Sequence, residues 1–225
     1  SSFTRITDNE TPINNLDWSA DYRMKTDKQG EEFSVSGQAS FGRNINKFTT
    51  SIVQVGLPTF STIGDNTGKN NEYTVQTDYV LPFGTKMKFE TGLKGIFREI
   101  SSKYQNTNQD FDYNQNVASA YAVFTAPLTE KITINAGLRA EHTDIKGLSG
   151  NSLNYGNDYF NVFPSAVISR AFSPFTMLKV SYNKRMQRPS LFFLNPFLND
   201  SDPENRVQGN PNLAPEISDN IELGY

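Results

Sequence analysis

A two-residue alternation of polar and apolar side chains returns in one segment of this chain after another. From Phe33 to Phe41 the odd positions are apolar or small, and the even positions are Ser or Gln. Because successive side chains of a β-strand point to opposite faces, each such segment predicts a strand with one apolar and one wet face. Nine segments follow this pattern with varying regularity: 16–25, 33–41, 73–79, 86–98, 114–126, 131–141, 158–170, 175–188 and 220–225.

Strand length and loop length both favour a membrane barrel over a soluble sandwich. Several segments run past ten residues, which suits the roughly 9–11 residues of a tilted membrane-spanning strand, whereas soluble strands average about 5–6. Tight connections at 27–30, 82–84, 127–130 and 171–174 alternate with long polar ones at 44–71, 101–113, 146–157 and 189–214. Outer-membrane barrels have short periplasmic turns and long external loops. The predicted fold is therefore all-β, an antiparallel up-and-down meander of long strands that forms a transmembrane β-barrel or a fragment of one.

Composition excludes several classes of protein. The 225 residues contain no run of about 18 apolar residues, which excludes transmembrane helices. There is no Cys, so thiol catalysis and cysteine metal sites are excluded, and the net charge of −3, with both signs scattered, argues against a nucleic-acid partner. His142 is the single histidine, which leaves a hydrolytic triad unsupported. We predict no enzyme, no cofactor and no metal site.

The ends of the chain suggest a piece of a longer barrel. No signal peptide precedes Ser1, and the last alternating stretch stops at Tyr225. Bacterial single-chain barrels use even numbers of strands, and an open sheet edge in hydrocarbon leaves backbone groups unpaired. We expect one partial barrel region over residues 1–225, with no plug domain in it. Whether this stretch closes, pairs edge to edge or folds as a soluble sheet is left open.

Motifs in the last third of the chain are more specific. They are Phe163-Pro164-Ser165, the run 182–190 (YNKRMQRPS), Leu194-Asn195-Pro196-Phe197, the run 209–216 (GNPNLAPE) and Glu222-Leu223-Gly224-Tyr225. Together with the turn Leu81-Pro82-Phe83-Gly84, this series resembles the barrel region of TonB-dependent receptors, most of all the outer-membrane β-barrel family common in Bacteroidetes. The resemblance extends from about Asn70 to the end and is looser before it.

This resemblance implies a receptor of the Gram-negative cell outer membrane that takes part in nutrient binding and uptake. Its partners are then outer-membrane lipid, an unknown small ligand, and, in the parent protein, a plug domain and the energy-coupling TonB complex. Two alternatives from other classes stay open. One is a plug-free outer-membrane pore, adhesin or structural surface protein, and the other is a soluble β-sandwich binding module.

Aromatic residues beside the prolines of the last long connection are candidates for ligand or partner contact at the external mouth. Phe192, Phe193 and Phe197 form the apolar patch, and Asn195 and Arg206 add polar groups. The alternative is that the aromatic rings pack against the barrel rim, while the prolines only shape the turn.

A second aromatic set lies near the short turns. Its members, which are candidates for a membrane-interface girdle, are Tyr79, Phe83, Phe172, Phe175 and Tyr182. Ordinary β propensity also enriches strands in Tyr and Phe. On the opposite, inward face the alternation predicts charged residues that pair across strands or contact a plug or ligand: Lys86, Lys88, Glu90, Lys94, Arg98, Arg139 and Glu141.

Overall fold

The structure, a computed structural model, describes residues 3–84, 86–105, 110–150, 153–194, 198–199, 206–210 and 212–225. Nearly all of these residues lie in strands, as the alternation predicts. The elements are β1 (Phe3–Glu10), β2 (Ile13–Lys25), β3 (Glu32–Gln54), β4 (Phe60–Phe83), β5 (Met87–Tyr104), β6 (Phe111–Pro127), β7 (Ile132–Ser149), β8 (Leu153–Ser173), β9 (Thr176–Gln187), α1 (Leu191–Leu194), β10 (Leu198–Asn199), β11 (Val207–Gln208) and β12 (Glu216–Gly224).

The long strands form one antiparallel sheet in an up-and-down meander. Each strand from β3 to β9 pairs with the next in the chain, and β12 pairs with β9. Both β1 and β2 pair with β3, so together they occupy one position across the sheet. Over the described residues the sheet thus has nine positions, which match the nine predicted segments, and its edges are β1–β2 and β12. The predicted meander is confirmed.

Pro12 separates β1 from β2. A proline has no N–H to give to a ladder, and sheets therefore tolerate it at an edge strand. Its carbonyl still accepts a hydrogen bond from the Ile45 N–H at 3.0 Å. Both β1 and β2 therefore pair with β3, one on each side of Pro12.

Four tight turns lie at one end of the sheet, where the sequence predicts them. They join β2 to β3, β4 to β5, β6 to β7 and β8 to β9. Gly30 and Gly84 have φ values of +83° and +63° in the first two turns. This left-handed conformation carries no steric cost only for glycine, so these two residues allow the chain to reverse within a few positions.

The opposite end differs from the sequence prediction. We expected loops at 44–71, 101–113 and 146–157, but strands occupy most of these ranges, and β3 and β4 are joined by residues 55–59. Outside lipid both faces of a hairpin meet water, so the apolar alternation stops although the backbone ladder continues. The predicted loops are therefore largely extensions of the wall strands.

The pairing register divides the sheet into two faces, because directly opposed residues share a face. One face, here called the outward face, is apolar over the half of each strand next to the tight turns. It leaves large side chains uncovered, such as Trp18 (59% exposed), Leu93 (61%) and Leu223 (75%). No second sheet covers this face within the described ranges. That arrangement suits lipid and argues against the soluble sandwich.

The apolar band of the outward face ends at a row of polar residues. This row consists of Asn14, Arg43, Asn71, Glu99, Asn116, His142, Asp158, Lys184 and Asp219. In β3 the band extends from Phe33 to Phe41. At about 3.4 Å per residue and a tilt of roughly 40°, that length gives a height of about 20–25 Å, close to the apolar band of outer-membrane barrels.

Candidate functional site

The opposite, inward face of the sheet is polar, and some of its charges are paired across strands. Arg98 on β5 donates from Nε to Glu72 Oε2 on β4 at 2.7 Å, and from Nη1 to Gln115 Oε1 on β6 at 3.3 Å. Gln115 is only 3% exposed. The guanidinium of Arg98 therefore links β4, β5 and β6 by hydrogen bonds and neutralises the carboxylate of Glu72.

The register places most of the predicted inward charges on this face. Lys94 lies opposite Ser119, which lies opposite Glu141, so the charges of β5 and β7 share one side of the sheet. Lys88 and Glu90 pair within β5 at 2.9 Å. Lys86 lies in the turn before β5. The remaining members of the set on the shared face are Arg98 and Arg139.

The side chain of Tyr121 lies over a glycine on the inward face. Its hydroxyl on β6 donates to Asp78 Oδ1 on β4 at 2.6 Å, passing over β5 at Gly92, which is opposite both residues. A Cβ at Gly92 would lie 2.5 Å from both Tyr121 Cε1 and the Thr77 carbonyl oxygen. The close approach of the ring therefore requires glycine at this position.

A partly buried ion pair joins the end of β9 to the inward face. Arg188 Nη2 donates to Glu141 Oε1, and also to Thr143 Oγ1 at 3.3 Å. The side chain of Glu141 is 8% exposed and that of Arg188 is 25% exposed. The guanidinium of Arg139 lies 4.7 Å from the Phe163 ring centroid, and its Nε is 3.9 Å from Glu141. Glu141 thus has two cations beside it.

Beyond Arg188 the described parts of the connection between β9 and β12 (188–194, 198–199, 206–210 and 212–215) include residues such as Leu194 and Leu213 that lie against the inward face. Leu194 of α1 is 5% exposed and packs with Ile100, Phe111 and Tyr113, which are all buried on the wall. Burial raises the pKa of Tyr113 to about 12. The Phe193 carbonyl accepts a hydrogen bond from the Asn210 N–H at 2.7 Å. The start of this connection is therefore fixed to the wall from inside.

The predicted contact residues lie on this same connection. Phe193 is 56% exposed and lines a cavity of about 350 Å³ with Arg188 and Leu213. Arg206 is exposed. Phe192 lies in α1, but its side chain is outside the described part, and Asn195 and Phe197 lie outside the described residues. Ligand contact by this set stays a prediction.

The predicted interface aromatics occupy different levels of the sheet. Phe83, Phe172 and Phe175 lie at or beside the tight turns, with exposed fractions of 42%, 48% and 98%. Tyr79 donates its hydroxyl to Glu31 in the first turn. Tyr182 lies at the far end of the apolar band, one step before the polar row, and donates to Asp219 Oδ1 at 2.7 Å. Their girdle role stays a prediction.

A pocket that sequence reasoning missed lies on the inward face of β2–β5, at the level of the polar row and beyond it. It has a volume of about 410 Å³. Five asparagines line it, and we call it the asparagine pocket: Asn15, Asn44, Asn46, Asn66 and Asn70. The available signal was the set of asparagines at even positions of 44–70, but we assigned that stretch to a loop. In a loop the inward and outward side chains cannot be told apart from the sequence, so these asparagines were not recognised as sharing one face.

The single histidine lies on the outward face. His142 Nε2 is 3.0 Å from Asp158 Oδ2 on the neighbouring strand, and both side chains are at least half exposed. The part of the chain that the structure describes holds no group of three His, Cys, Asp or Glu side chains able to bind a metal. None of its helices is long and apolar enough to cross a membrane.

The fold is similar to that of solved structures of a transporter and of two receptors. They include the copper transporter OprC (11% identity over 94% of this chain and 37% of that chain, TM-score 0.71). Two others are the alcaligin outer-membrane receptor FauA from Bordetella pertussis (15% identity, 99% and 37% coverage, TM-score 0.52) and the ferric-catecholate import receptor Fiu from E. coli K12 (9% identity, 81% and 34% coverage, TM-score 0.55). At these identities the likeness shows the fold, and the chain spans about a third of the length of each.

Comparison with curated proteins finds no match. The outer membrane protein beta-barrel family matches residues 24–225, which is most of the chain. This match agrees with the meander, with the apolar outward band and with the polar inward face. The chain belongs to the outer membrane protein beta-barrel family, and its place is the outer membrane of a Gram-negative bacterium.

Proposed function

We propose that this chain is part of the barrel wall of a receptor that binds a small nutrient and imports it across the outer membrane. In this proposal the whole stretch 1–225 is barrel, and the parent protein also carries a plug domain and is driven by the TonB complex. The family supports the membrane setting, and the motif series of the last third supports the TonB-dependent class. The function requires no covalent chemistry.

The observation that carries the proposal is the inward-turning connection between β9 and β12. Arg188 and Leu194 hold its start against the inward face, through the Glu141 ion pair and the buried apolar cluster. A segment held inside narrows the lumen at the end where the long hairpins lie. Narrowing favours capture of a specific solute over free diffusion. Similar folds named as a copper transporter and as a ferric-catecholate import receptor support import rather than adhesion.

We assign contact with the solute to residues of the β9–β12 connection. Phe193 supplies an exposed ring beside a cavity, and Arg206 supplies a charge. We retain Phe192, Asn195 and Phe197 in the proposed contact set, together with these two. An aromatic and polar mixture of this kind is typical of ligand pockets, which combine apolar area with a few orienting polar groups.

Medium depletion tests the import proposal without knowledge of the ligand. The native host, a strain lacking the gene, and a strain lacking TonB are grown in the same rich medium, and mass spectrometry follows the solutes that remain. We expect at least one solute that the native host removes and both deletion strains leave. Equal depletion of every solute by the native host and the strain lacking TonB contradicts energised import.

Electrical conductance separates the receptor from the alternative, a plug-free pore. The full gene product is inserted into a planar bilayer. A plugged receptor conducts no steady current, whereas a passive pore conducts ions continuously. A steady open-channel current favours the pore and contradicts the plug.

A further inference from the structure

The asparagine pocket has the geometry of a binding site because glycines lie between its amides. Across β2, β3 and β4, Asn15 lies opposite Gly42, and Gly42 lies opposite Asn70. One row further from the tight turns, Asn44 lies opposite Gly68. Each glycine leaves room for a neighbouring amide, because a Cβ at Gly68 would overlap Asn44 Oδ1 and a Cβ at Gly42 would lie 3.2 Å from Asn15 Oδ1. The amides of Asn15 and Asn44 therefore lie over the glycines and line the pocket.

Most of the amides in the pocket are available to a ligand. Asn66 is engaged, because its Nδ2 donates to Ser102 Oγ at 2.9 Å. The side chains of Asn15, Asn44, Asn46 and Asn70 have no hydrogen bond or ion pair with another described residue. Each of these amides offers two N–H donors and one carbonyl acceptor side by side. That combination matches neighbouring hydroxyl groups, each of which donates and accepts.

The pocket carries no charge on its inward side. Arg43 and Lys69 border it through their backbone, since their odd positions direct the side chains outward. In the next row towards the tight turns, Glu72 is already neutralised by Arg98. An anion placed here would lose its hydration without gaining a counter-charge, which is costly. The chemistry of the pocket therefore selects a neutral ligand.

Side chains of β5 border the amides on one side. Ile100 lies opposite Asn70, and Tyr104 lies opposite Asn66. Sugars pair hydroxyl edges with C–H faces, so amides beside the ring of Tyr104 suit both parts of the molecule. The volume of about 410 Å³ also lies within the roughly 300–1,000 Å³ usual for ligand pockets.

We propose that the asparagine pocket binds a neutral oligosaccharide at the outer mouth of the barrel. The proposal rests on the import function proposed above and names the class of solute that is imported. It assigns hydrogen bonding to Asn44 and Asn70 at the centre of the pocket, and apolar contact to Tyr104.

Binding to the full gene product, purified in detergent, tests this assignment. The protein is applied to an array of neutral oligosaccharides built on glucose, xylose, mannose or galactose, with carboxylated counterparts beside them. Calorimetry then measures the affinity for the neutral sugar with the strongest signal. We expect the double variant Asn44→Ala, Asn70→Ala to weaken binding by at least about tenfold, since the hydrogen bonds of two amides to the sugar are lost.

Two further variants distinguish a loss of the binding site from misfolding of the protein. Gly68→Ala displaces the Asn44 amide without removing any hydrogen-bonding group, and we expect it to weaken binding as well. Asn161→Ala makes the same deletion on the inward face of β8, outside the pocket, and leaves the affinity within about twofold. All variants are checked for the heat-resistant folded band before titration.

The outcomes separate this proposal from the import function. Binding confined to carboxylated sugars, no binding to any neutral sugar, or full affinity in the Asn44/Asn70 variant overturns the pocket assignment. TonB-dependent depletion of another solute then leaves the import function standing. Asparagine-dependent sugar binding without TonB-dependent uptake supports the pocket and contradicts import.

Discussion

Replacing Glu141 with Gln removes one charge from the inward face and keeps the shape of the side chain. Arg188 then loses its ion-pair partner, although Thr143 Oγ1 still accepts from it at 3.3 Å. Arg139, whose Nε is 3.9 Å from Glu141, loses a neighbouring anion as well. We expect the start of the β9–β12 connection to be detached from the inward face in a larger fraction of the molecules.

The size of the effect follows from burial. Removing one partner of a buried ion pair costs about 3–5 kcal/mol. Glu141 is nearly buried, but the Arg188 side chain is 25% exposed and regains some hydration when it is unpaired. We therefore expect a cost of about 2–3 kcal/mol, which corresponds to an increase of about 30- to 150-fold in the detached population.

Hydrogen exchange of the full gene product measures this population. The N–H groups of Phe193 and Leu194 donate to the Ser190 carbonyl in the single turn of α1. Because so short a helix is unstable without packing, these groups exchange when α1 leaves the wall. Their exchange should accelerate by the factor given above. Glu90→Gln is the matched control, because Glu90 pairs with Lys88 on the same face and the pair does not involve the connection. Unchanged exchange in Glu141→Gln would refute the role of the ion pair.

Three other changes address the wall and its turns. Leu93→Arg puts a cation in the middle of the outward band and should cost about 2–4 kcal/mol, seen as loss of the heat-resistant folded band on gels. Gly92→Ala forces the Tyr121 ring away and should cost about 1–3 kcal/mol, seen as a lower Tm. Hydrogen bonds from Thr26 and Tyr79 hold the pKa of Glu31 below its ordinary value, so Thr26→Ala should raise that pKa in an NMR titration. A lowered pKa stabilises the turn above the unfolded pKa, and this stability is lost as the pH falls through the folded pKa.

Each of these three predictions has a matched control variant. Lys94→Leu changes the next, inward position and should leave the folded band intact. Gly37→Ala has no atom within 4 Å of the new Cβ and should leave the Tm almost unchanged. Thr129→Ala alters a different turn and should leave the Glu31 pKa as it is. Equal effects in a variant and its control would contradict the reasoning.

The wall next to the tight turns was predictable because lipid imposes a strict period on the sequence there. Between Phe33 and Phe41 one face meets hydrocarbon and the other water, so polarity reports direction. Between Asn44 and Thr67 both faces meet water, and polar residues occupy both sides, such as Asn44 and Asn46 inward and Thr49 and Thr67 outward. The strands continue there on backbone hydrogen bonds, which leave no trace in side-chain polarity.

The site was less accessible to sequence reasoning because its parts are distant along the chain. Glu141 was predicted to face inward, but its partner Arg188 is 47 residues away and was assigned only to a motif before a proline. Their meeting depends on the register of three strands and on the inward turn after β9. The asparagine pocket likewise exists only once the offsets between β2, β3 and β4 are known.

The length of the β3–β4 hairpin sets how far this part of the wall extends beyond the apolar band. Between Phe41, the last apolar residue of the band, and Gln54 the strand rises about 44 Å along its axis, or roughly 34 Å in height at the same tilt of about 40°. Its tip holds Val55, which is 94% exposed, and Gly56 with φ of +82°. Long hairpins of outer-membrane barrels face the exterior, so we expect this tip to be accessible from outside the cell. We expect an epitope inserted after Gly56 to be labelled by antibody on living cells.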